Sequence, residues 1–241
     1  MIKFLDLYKQ DQKLHKAILK DIKTLFKKGD FILGNEVIKF EDNFKNFCQS
    51  KYAISCGNGT DALTIALKSL DLPNYSEVII PAMTYCSTAF AVINAGLTPI
   101  LVDTEFLKPT IDLIDLKKKI NKKTKVILPV HLYGSVANLN GIKKIIGKKN
   151  IYLVDDCAQA HGAYDDSINS QNRKRIGSTT DISCFSLYPG KNLGAYGDAG
   201  IITTNNKNLF NKIKKIRNLG SDKKFVHDYV GINSRLDTIQ A

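Results

Sequence analysis

The chain has 241 residues, of which 44% are hydrophobic and 24% are charged, and its formal net charge is +12. This composition is ordinary for a globular protein and excludes a disordered chain, a collagen-like chain and a disulfide-stabilised mini-protein. Arginine accounts for only four of the 35 basic residues, whereas nucleic-acid sites favour Arg, so we interpret the lysines as solvated helix faces and expect no nucleic-acid partner.

Short apolar runs alternate with amphipathic stretches along most of the chain. Strands are predicted at residues 52–55, 78–80, 99–102, 126–128, 151–154, 181–187 and 200–204. Helices are predicted at residues 37–47, 60–70, 87–96, 113–120, 139–146 and 208–218, with Thr60 as an N-cap. Strands separated by helices of about ten residues predict βαβ units and a mainly parallel sheet. We found no repeat or linker and therefore expect one domain over residues 1–241.

Two segments depart from this pattern. Residues 165–175 are polar and are predicted to form an exposed loop. Residues 237–241 carry no helix stop signal, so the sequence is predicted to end inside a helix.

The first candidate site is the run Gly57-Asn-Gly-Thr-Asp-Ala-Leu63. A glycine-rich turn between a strand and a helix presents N–H groups and the positive end of the helix dipole, which suits a phosphate. Asp61 opposes this unless its carboxylate points away from the anion. A plain tight turn capped by Thr60 is the alternative.

The second candidate site follows the strand at 151–154, where Asp155 and Asp156 come before Cys157-Ala-Gln159. Ligands of parallel sheets bind beyond the carboxyl ends of the strands, so one carboxylate is placed to pair with a heterocyclic cation. A capping aspartate is the alternative. His161, taken alone, is interpreted as structural.

The third candidate site is Lys191, which lies between Gly190 and Gly194 in a stretch with few other charges. An amine nucleophile forms a Schiff base with an aldehyde. Ser186, five residues earlier, is a candidate phosphate donor. One more surface lysine is the alternative.

Together these features match the needs of pyridoxal 5'-phosphate (PLP): a phosphate cradle, a strand-end aspartate, an amine and an aromatic ring such as Tyr85 to stack on the cofactor. The sequence also resembles the PLP-dependent nucleotide-sugar aminotransferases of the DegT/StrS type. The matching segments run in order along the chain: residues 30–34, 57–63, 81–85, 130–134, 156–163, 186–194, 197–200, 217–220 and 231–237.

The resemblance implies the aspartate-aminotransferase fold, with three αβα layers around a mainly parallel sheet. It implies that Lys191 is catalytic and binds PLP covalently and that Asp156, rather than Asp155, faces the pyridine nitrogen. It places Gln159 beside the ring, Tyr85 stacked on it, and Gly59, Thr60 and Ser186 around the phosphate, with Asp61 contributing at least its backbone. Asn233 is implied to reach the cofactor of a neighbouring subunit, so a homodimer is expected.

By analogy with the family, the amino group passes from L-glutamate to a keto group of a nucleotide-activated deoxysugar. A lysine at position 191 favours transamination over the 3-dehydratase branch, which has histidine there. Residues 1–7, 189–190 and 233–237 most resemble the branch that acts on dTDP-3-keto-6-deoxyhexoses. Family chains continue into a small C-terminal domain that is absent here, so the alternative is a truncated PLP-fold protein without turnover, acting as a subunit or remnant.

Other features indicate the compartment. The five cysteines, an odd number without a C-x-x-C pair, are expected to be reduced thiols. No signal peptide and no apolar run of about 18 residues is found. We therefore expect a cytoplasmic protein without a metal or a membrane partner.

Overall fold

The computed structural model describes residues 5–165 and 173–241. The helices are α1 (Leu7–Asp11), α2 (His15–Lys28), α3 (Asn35–Cys48), α4 (Gly59–Lys68), α5 (Cys86–Asn94), α6 (Leu113–Lys119), α7 (Leu139–Ile146) and α8 (Lys207–Ile216), with a 3-10 turn at Leu132–Gly134. The main strands are β1 (Tyr52–Cys56), β2 (Glu77–Pro81), β3 (Thr98–Val102), β4 (Thr124–Ile127), β5 (Tyr152–Asp156), β8 (Ile182–Ser186) and β9 (Gly200–Thr204). Short strands form two separate pairs, β6 (Tyr164–Asp165) with β7 (Lys174–Arg175) and β10 (Ser221–Lys223) with β11 (Val226–His227).

The seven main strands form one sheet in the order β1-β9-β8-β5-β4-β2-β3. Strand β9 is antiparallel to both of its neighbours, and the other neighbouring pairs are parallel. Six strands therefore run in the same direction, and their carboxyl ends meet at one edge. This confirms the predicted α/β fold with a mainly parallel sheet.

Successive residues of each strand point to opposite faces of the sheet, and each face carries its own core. Ile54, Val78 and Val154 pack in the core that includes residues of α4, α5 and α8. Their neighbours Ala53, Ile79 and Leu153 pack in the other core, with residues of α3, α6 and α7. Burial on both faces explains the continuous apolar strand runs and gives the three αβα layers.

Two sequence-based predictions were wrong in part. Residues 237–241 do not form a helix: Asp237 makes an isolated bridge with Ile32, and a turn follows. The predicted exposed loop at 165–175 is paired at its ends, where Tyr164 lies opposite Arg175 and Asp165 is buried. The remainder of that loop, residues 166–172, and residues 1–4 of the family-like N-terminus lie outside the described residues.

The five cysteines are free, as expected, and four of them are buried. Burial raises the pKa of Cys48 and that of Cys56 to about 12, so both thiols are protonated at neutral pH. Within the described residues, no helix is long and apolar enough to cross a membrane.

Candidate active site

The carboxyl edge of the sheet opens into a cavity of about 790 Å³. Eight of the nine predicted site residues line it: Gly59, Thr60, Asp61, Tyr85, Asp156, Gln159, Ser186 and Lys191. The ninth, Asn233, does not line this cavity; it is exposed and forms an isolated bridge with Asn218. Residues from β1, β2, β5 and β8 come together because these strands end at the same edge.

The part of the cavity that is suited to bind a phosphate is the N-terminus of α4. Asn58, not Thr60 as predicted, caps the helix: its backbone is extended, and its Oδ1 accepts the Asp61 N–H at 2.8 Å. Helix α4 therefore starts at Gly59, and the N–H groups of Gly59 and Thr60 precede the intrahelical hydrogen bonds. The Asp61 N–H is held by the cap.

Gly59 allows this part of the cavity to close. A Cβ placed on Gly59 would lie 2.6 Å from Cβ of Ser186, the last residue of β8. Any larger residue would push the helix away from the strand, so the glycine keeps the helix N-terminus and the Ser186 hydroxyl on one small cradle.

The Asp61 carboxylate is held by two side-chain donors, one of them the N-cap residue of α4. Its Oδ2 accepts hydrogen bonds from Ser234 Oγ at 2.6 Å and from Asn58 Nδ2 at 3.0 Å. Among the described residues, neither the Gly59 N–H nor the Thr60 N–H donates to this carboxylate, so it does not occupy the donors that an anion would use.

Asp156, the last residue of β5, also lines the cavity. Its carboxylate accepts hydrogen bonds from Thr88 Oγ1 at 2.9 Å and from the Ala158 N–H at 3.0 Å. Burial raises the pKa of Asp156, although these hydrogen bonds and the positive charge of Lys191 act in the opposite direction. Asp156 therefore caps the following turn and also presents a buried carboxylate that a cation in the cavity would stabilise.

Asp155 occupies a different environment, away from the cavity. Thr180 Oγ1 donates to its Oδ1 at 2.7 Å, and His131 Nε2 lies 3.0 Å from its Oδ2. His131 Nδ1 accepts the Ala137 N–H at 3.1 Å, so Nε2 carries the proton and donates it to Asp155. Burial acts to raise the pKa of Asp155, but the hydrogen bonds from His131, Ser183 and Thr180 outweigh it and lower that pKa.

Sequence reasoning assigned no role to His131. The only signal was its place in the family-like segment 130–134. Although His131, Asp155 and Cys157 have ligand atoms close enough to hold a metal ion, all three are buried. Both His131 nitrogens are engaged in hydrogen bonds, so we interpret the cluster as structural.

Lys191 lies in a tight turn between β8 and β9. Its N–H donates to Tyr188 O at 2.8 Å, and the Ala195 N–H donates to Leu187 O at 2.8 Å to close the turn. A Cβ on Gly194 would lie 2.5 Å from Pro189 O, so this turn requires glycine at 194. The turn holds the lysine side chain at the cavity wall.

Gln159 and Tyr85 complete the wall. The Gln159 side chain accepts the Tyr133 N–H through Oε1 at 2.8 Å, which leaves its amide N–H groups as donors. Tyr85 is 72% exposed at the start of α5, so its ring is available for stacking. Burial and the charge of Lys191 lower the pKa of the nearby His161 to about 4, so its imidazole is neutral at neutral pH.

Comparison with known proteins gives consistent results. The model of the DegT/DnrJ/EryC1/StrS aminotransferase family matches residues 12–241. The chain is 42% identical to a dTDP-3-amino-3,6-dideoxy-alpha-D-galactopyranose transaminase of Aneurinibacillus thermoaerophilus, covering all of this chain and 65% of the relative. It is 36% identical to a dTDP-3-amino-3,4,6-trideoxy-alpha-D-glucose transaminase of Streptomyces venezuelae, again over all of this chain and 62% of the relative.

Solved structures agree with this. DesV of S. venezuelae, in complex with a ketimine intermediate, superposes with a TM-score of 0.94 at 36% identity, covering 99% of this chain and 63% of DesV. A Bacillus subtilis protein named NtdA, with bound cofactor PMP, superposes with a TM-score of 0.91 at 30% identity, covering 99% of this chain and 54% of NtdA. The chain thus spans less than two thirds of the length of each of these relatives.

Proposed function

The chain belongs to the DegT/DnrJ/EryC1/StrS aminotransferase family, and from that premise we propose that it acts as a PLP-dependent nucleotide-sugar aminotransferase. The observation that carries the proposal is the single cavity shared by Asp156, Lys191 and the N-terminus of α4. The whole protein would move an amino group from L-glutamate to a keto group of a nucleotide-activated deoxysugar.

The residues of the cavity fit PLP. The close approach of Gly59 to Ser186 forms a small cradle at a helix N-terminus, where a phosphate is stabilised by N–H groups and the helix dipole. The buried Asp156 carboxylate has a raised pKa and forms no ion pair with the described residues 5–165 and 173–241, and a protonated pyridine nitrogen would supply a cationic partner. PLP, when bound, supplies an electron sink for negative charge at the carbon that carries the amino group.

Each residue has a role in this proposal. Gly59, Thr60 and Ser186 bind the phosphate, Asp156 holds the proton on the ring nitrogen, and Gln159 donates to the ring substituents. Tyr85 stacks on the ring, and Asp61 lies beside the cradle in the first turn of α4. Lys191 binds the cofactor covalently and, once the amino donor displaces it, moves the proton at the reacting carbon.

The substrate proposal is narrower than the family. Relatives named for dTDP-linked amino sugars support a dTDP-3-keto-6-deoxyhexose as the acceptor. A relative from Pseudomonas aeruginosa, 40% identical, is named for a UDP-linked sugar, so the nucleotide is the first variable to test. The amino donor is proposed to be L-glutamate, and the protein is proposed to work in the cytoplasm.

We also propose a homodimer. Asn233 is exposed and lies outside this chain's cavity, which is consistent with a contribution to the site of a second copy.

The test is the visible absorption spectrum of the purified chain with added PLP, beside the Lys191→Ala variant. We expect a band that borohydride removes, present in the parent and lost in Lys191→Ala. Lys125→Ala is the matched control, because Lys125 is also only partly buried but lies on β4, outside the cavity. It should keep the band.

Adding L-glutamate separates cofactor binding from turnover. Loss of the band on addition supports the first half-reaction, and a keto-sugar nucleotide should restore it. A stable band that glutamate does not change would favour the alternative, a PLP-fold protein without turnover. No band at saturating PLP would contradict the proposed cofactor site.

A further inference from the structure

Ser234 links the start of α4 to the segment that carries Asn233. Its buried hydroxyl accepts the Gly57 N–H at 3.0 Å and lies 2.6 Å from Asp61 Oδ2. An ionised carboxylate only accepts hydrogen bonds, so the single hydroxyl proton of Ser234 is directed to Asp61.

This contact resolves a conflict within the proposed site. Asp61 lies in the first turn of α4, where a carboxylate competes with an external anion for the positive end of the helix. A phosphate in the cradle would also be repelled by a nearby negative charge. The N–H groups of Gly59 and Thr60 can donate to a phosphate only while the Asp61 carboxylate does not accept from them.

The backbone hydrogen bonds that hold Ser234 in place do not involve α4. The Ser234 N–H donates to Arg217 O at 3.0 Å, and the Leu219 N–H donates to Ile232 O at 3.0 Å. The backbone around Ser234 is therefore fixed against the residues that follow α8. The Ser234 hydroxyl is therefore a hydrogen-bond donor held in a fixed position next to the Asp61 carboxylate.

We propose that Ser234 is a positioning residue for the cofactor phosphate: together with Asn58 Nδ2 it binds the Asp61 carboxylate, so that the N–H groups of Gly59 and Thr60 stay free for an anion. The inference rests on the proposed PLP site. Ser234 acts through Asp61 and makes no contact with the phosphate itself.

The experiment compares PLP with pyridoxal, which lacks the phosphate. Dissociation constants are measured by absorbance titration for the parent, Ser234→Ala, Asp61→Asn and the double variant. We expect Ser234→Ala to raise the Kd for PLP about tenfold, as for the loss of one hydrogen bond to a charged group. The Kd for pyridoxal should change by less than about twofold, a shift well under one such hydrogen bond.

The Asp61→Asn background provides the second arm. Without the negative charge, the loss of the Ser234 hydroxyl should change the Kd for PLP by less than about twofold, because no carboxylate remains to repel the phosphate. Ser69→Ala is the matched control. Ser69 is also buried and follows α4 at its other end, and its hydroxyl bonds only to Ala66 O, so both dissociation constants should stay at the parent values.

The outcomes are distinct. Equal weakening of PLP and pyridoxal, or an undiminished Ser234→Ala effect in the Asp61→Asn background, would overturn the positioning role and leave the PLP site intact. Failure of the parent chain to bind PLP would overturn the proposed function and this inference with it. Pyridoxal binding by Ser234→Ala also shows that the variant has folded.

Discussion

The Asp156→Asn substitution is expected to stabilise the unliganded chain and, under the proposed function, to abolish transamination. Burial raises the pKa of the Asp156 carboxyl in the folded state, whereas in the unfolded chain it has the ordinary value of about 3.9. The folded state therefore favours the protonated form. As pH rises above the unfolded pKa and through the folded pKa, ionisation of Asp156 reduces stability.

The expected change in the free energy of unfolding follows from the hydrogen bonds that the Asp156→Asn substitution retains. Asparagine has the same shape, and its Oδ1 still accepts the Ala158 N–H. Thr88 Oγ1 also lies 2.8 Å from Thr84 Oγ1, so it can donate to Thr84 and accept from the new amide. Only the buried charge is lost, and we expect a gain of about 1–2 kcal/mol at pH 8, near the low end of burial costs for poorly compensated polar groups.

The assay is urea unfolding of the parent and the variant without PLP at pH 5 and pH 8. The stability difference should be larger at pH 8. Asp155→Asn is the matched control at the neighbouring position. The pKa of Asp155 is lowered in the folded state, so its ionised form contributes stability above the unfolded pKa, and the substitution should cost about 2 kcal/mol.

A lower stability of Asp156→Asn than of the parent at pH 8 would refute the reasoning, and so would a gain that does not depend on pH. Either result would mean that the hydrogen bonds of the Asp156 carboxylate outweigh its burial.

Three further predictions concern packing and the cradle. Gly59→Ala should cost about 1–3 kcal/mol by overpacking against Ser186, measured by urea unfolding, and should also raise the Kd for PLP; an unchanged Kd would contradict the cradle. His131→Ala should cost about 2–3 kcal/mol at pH 7, because the ionised Asp155 loses a donor, and the cost should decrease as pH falls through the lowered pKa of Asp155, leaving the part due to lost packing and the unpaired Ala137 N–H; a cost that does not change with pH would contradict the contribution of the Asp155 charge. Phe185→Ala should cost about 3–5 kcal/mol, since this ring is fully buried; a cost under about 1 kcal/mol would mean that the core collapses around the gap.

The fold was accessible from sequence because its strands are short, apolar and separated by amphipathic helices. Burial of successive strand residues such as Val78 and Ile79 on opposite faces of the sheet produces that pattern directly. The antiparallel direction of β9 could not be predicted from the sequence, because its residues Gly200–Thr204 are as apolar as those of the parallel strands. Helix α2 was also missed; among its residues only Leu25 is buried, and its apolar residues Leu19 and Phe26 are exposed.

The site residues could be predicted from the sequence where a motif lies at the end of a strand. They could not be predicted where a contact joins segments that are far apart in the chain. Gly59, Asp156 and Lys191 follow strands that end at one edge, so the topology brings them together. The partner of Asp61 is Ser234, 173 positions away, and no local pattern predicts that contact. The helix cap was misassigned because Asn58 and Thr60 are both good caps, and the extended backbone at Asn58 selects it.

The pair Asp155 and Asp156 shows how strand geometry separates two identical side chains. Because successive residues of a strand face opposite sides, Asp155 points toward the core of Leu153 and Asp156 toward that of Val154. On one side, the hydrogen bonds from His131 and the Thr180 hydroxyl lower the pKa of Asp155. On the other, the carboxylate of Asp156 meets two donors at the wall of an open cavity, and burial raises its pKa. Asp155 is hydrogen-bonded within the fold, whereas Asp156 lines the open cavity, and this difference supports the proposal that Asp156 rather than Asp155 pairs with a cofactor cation.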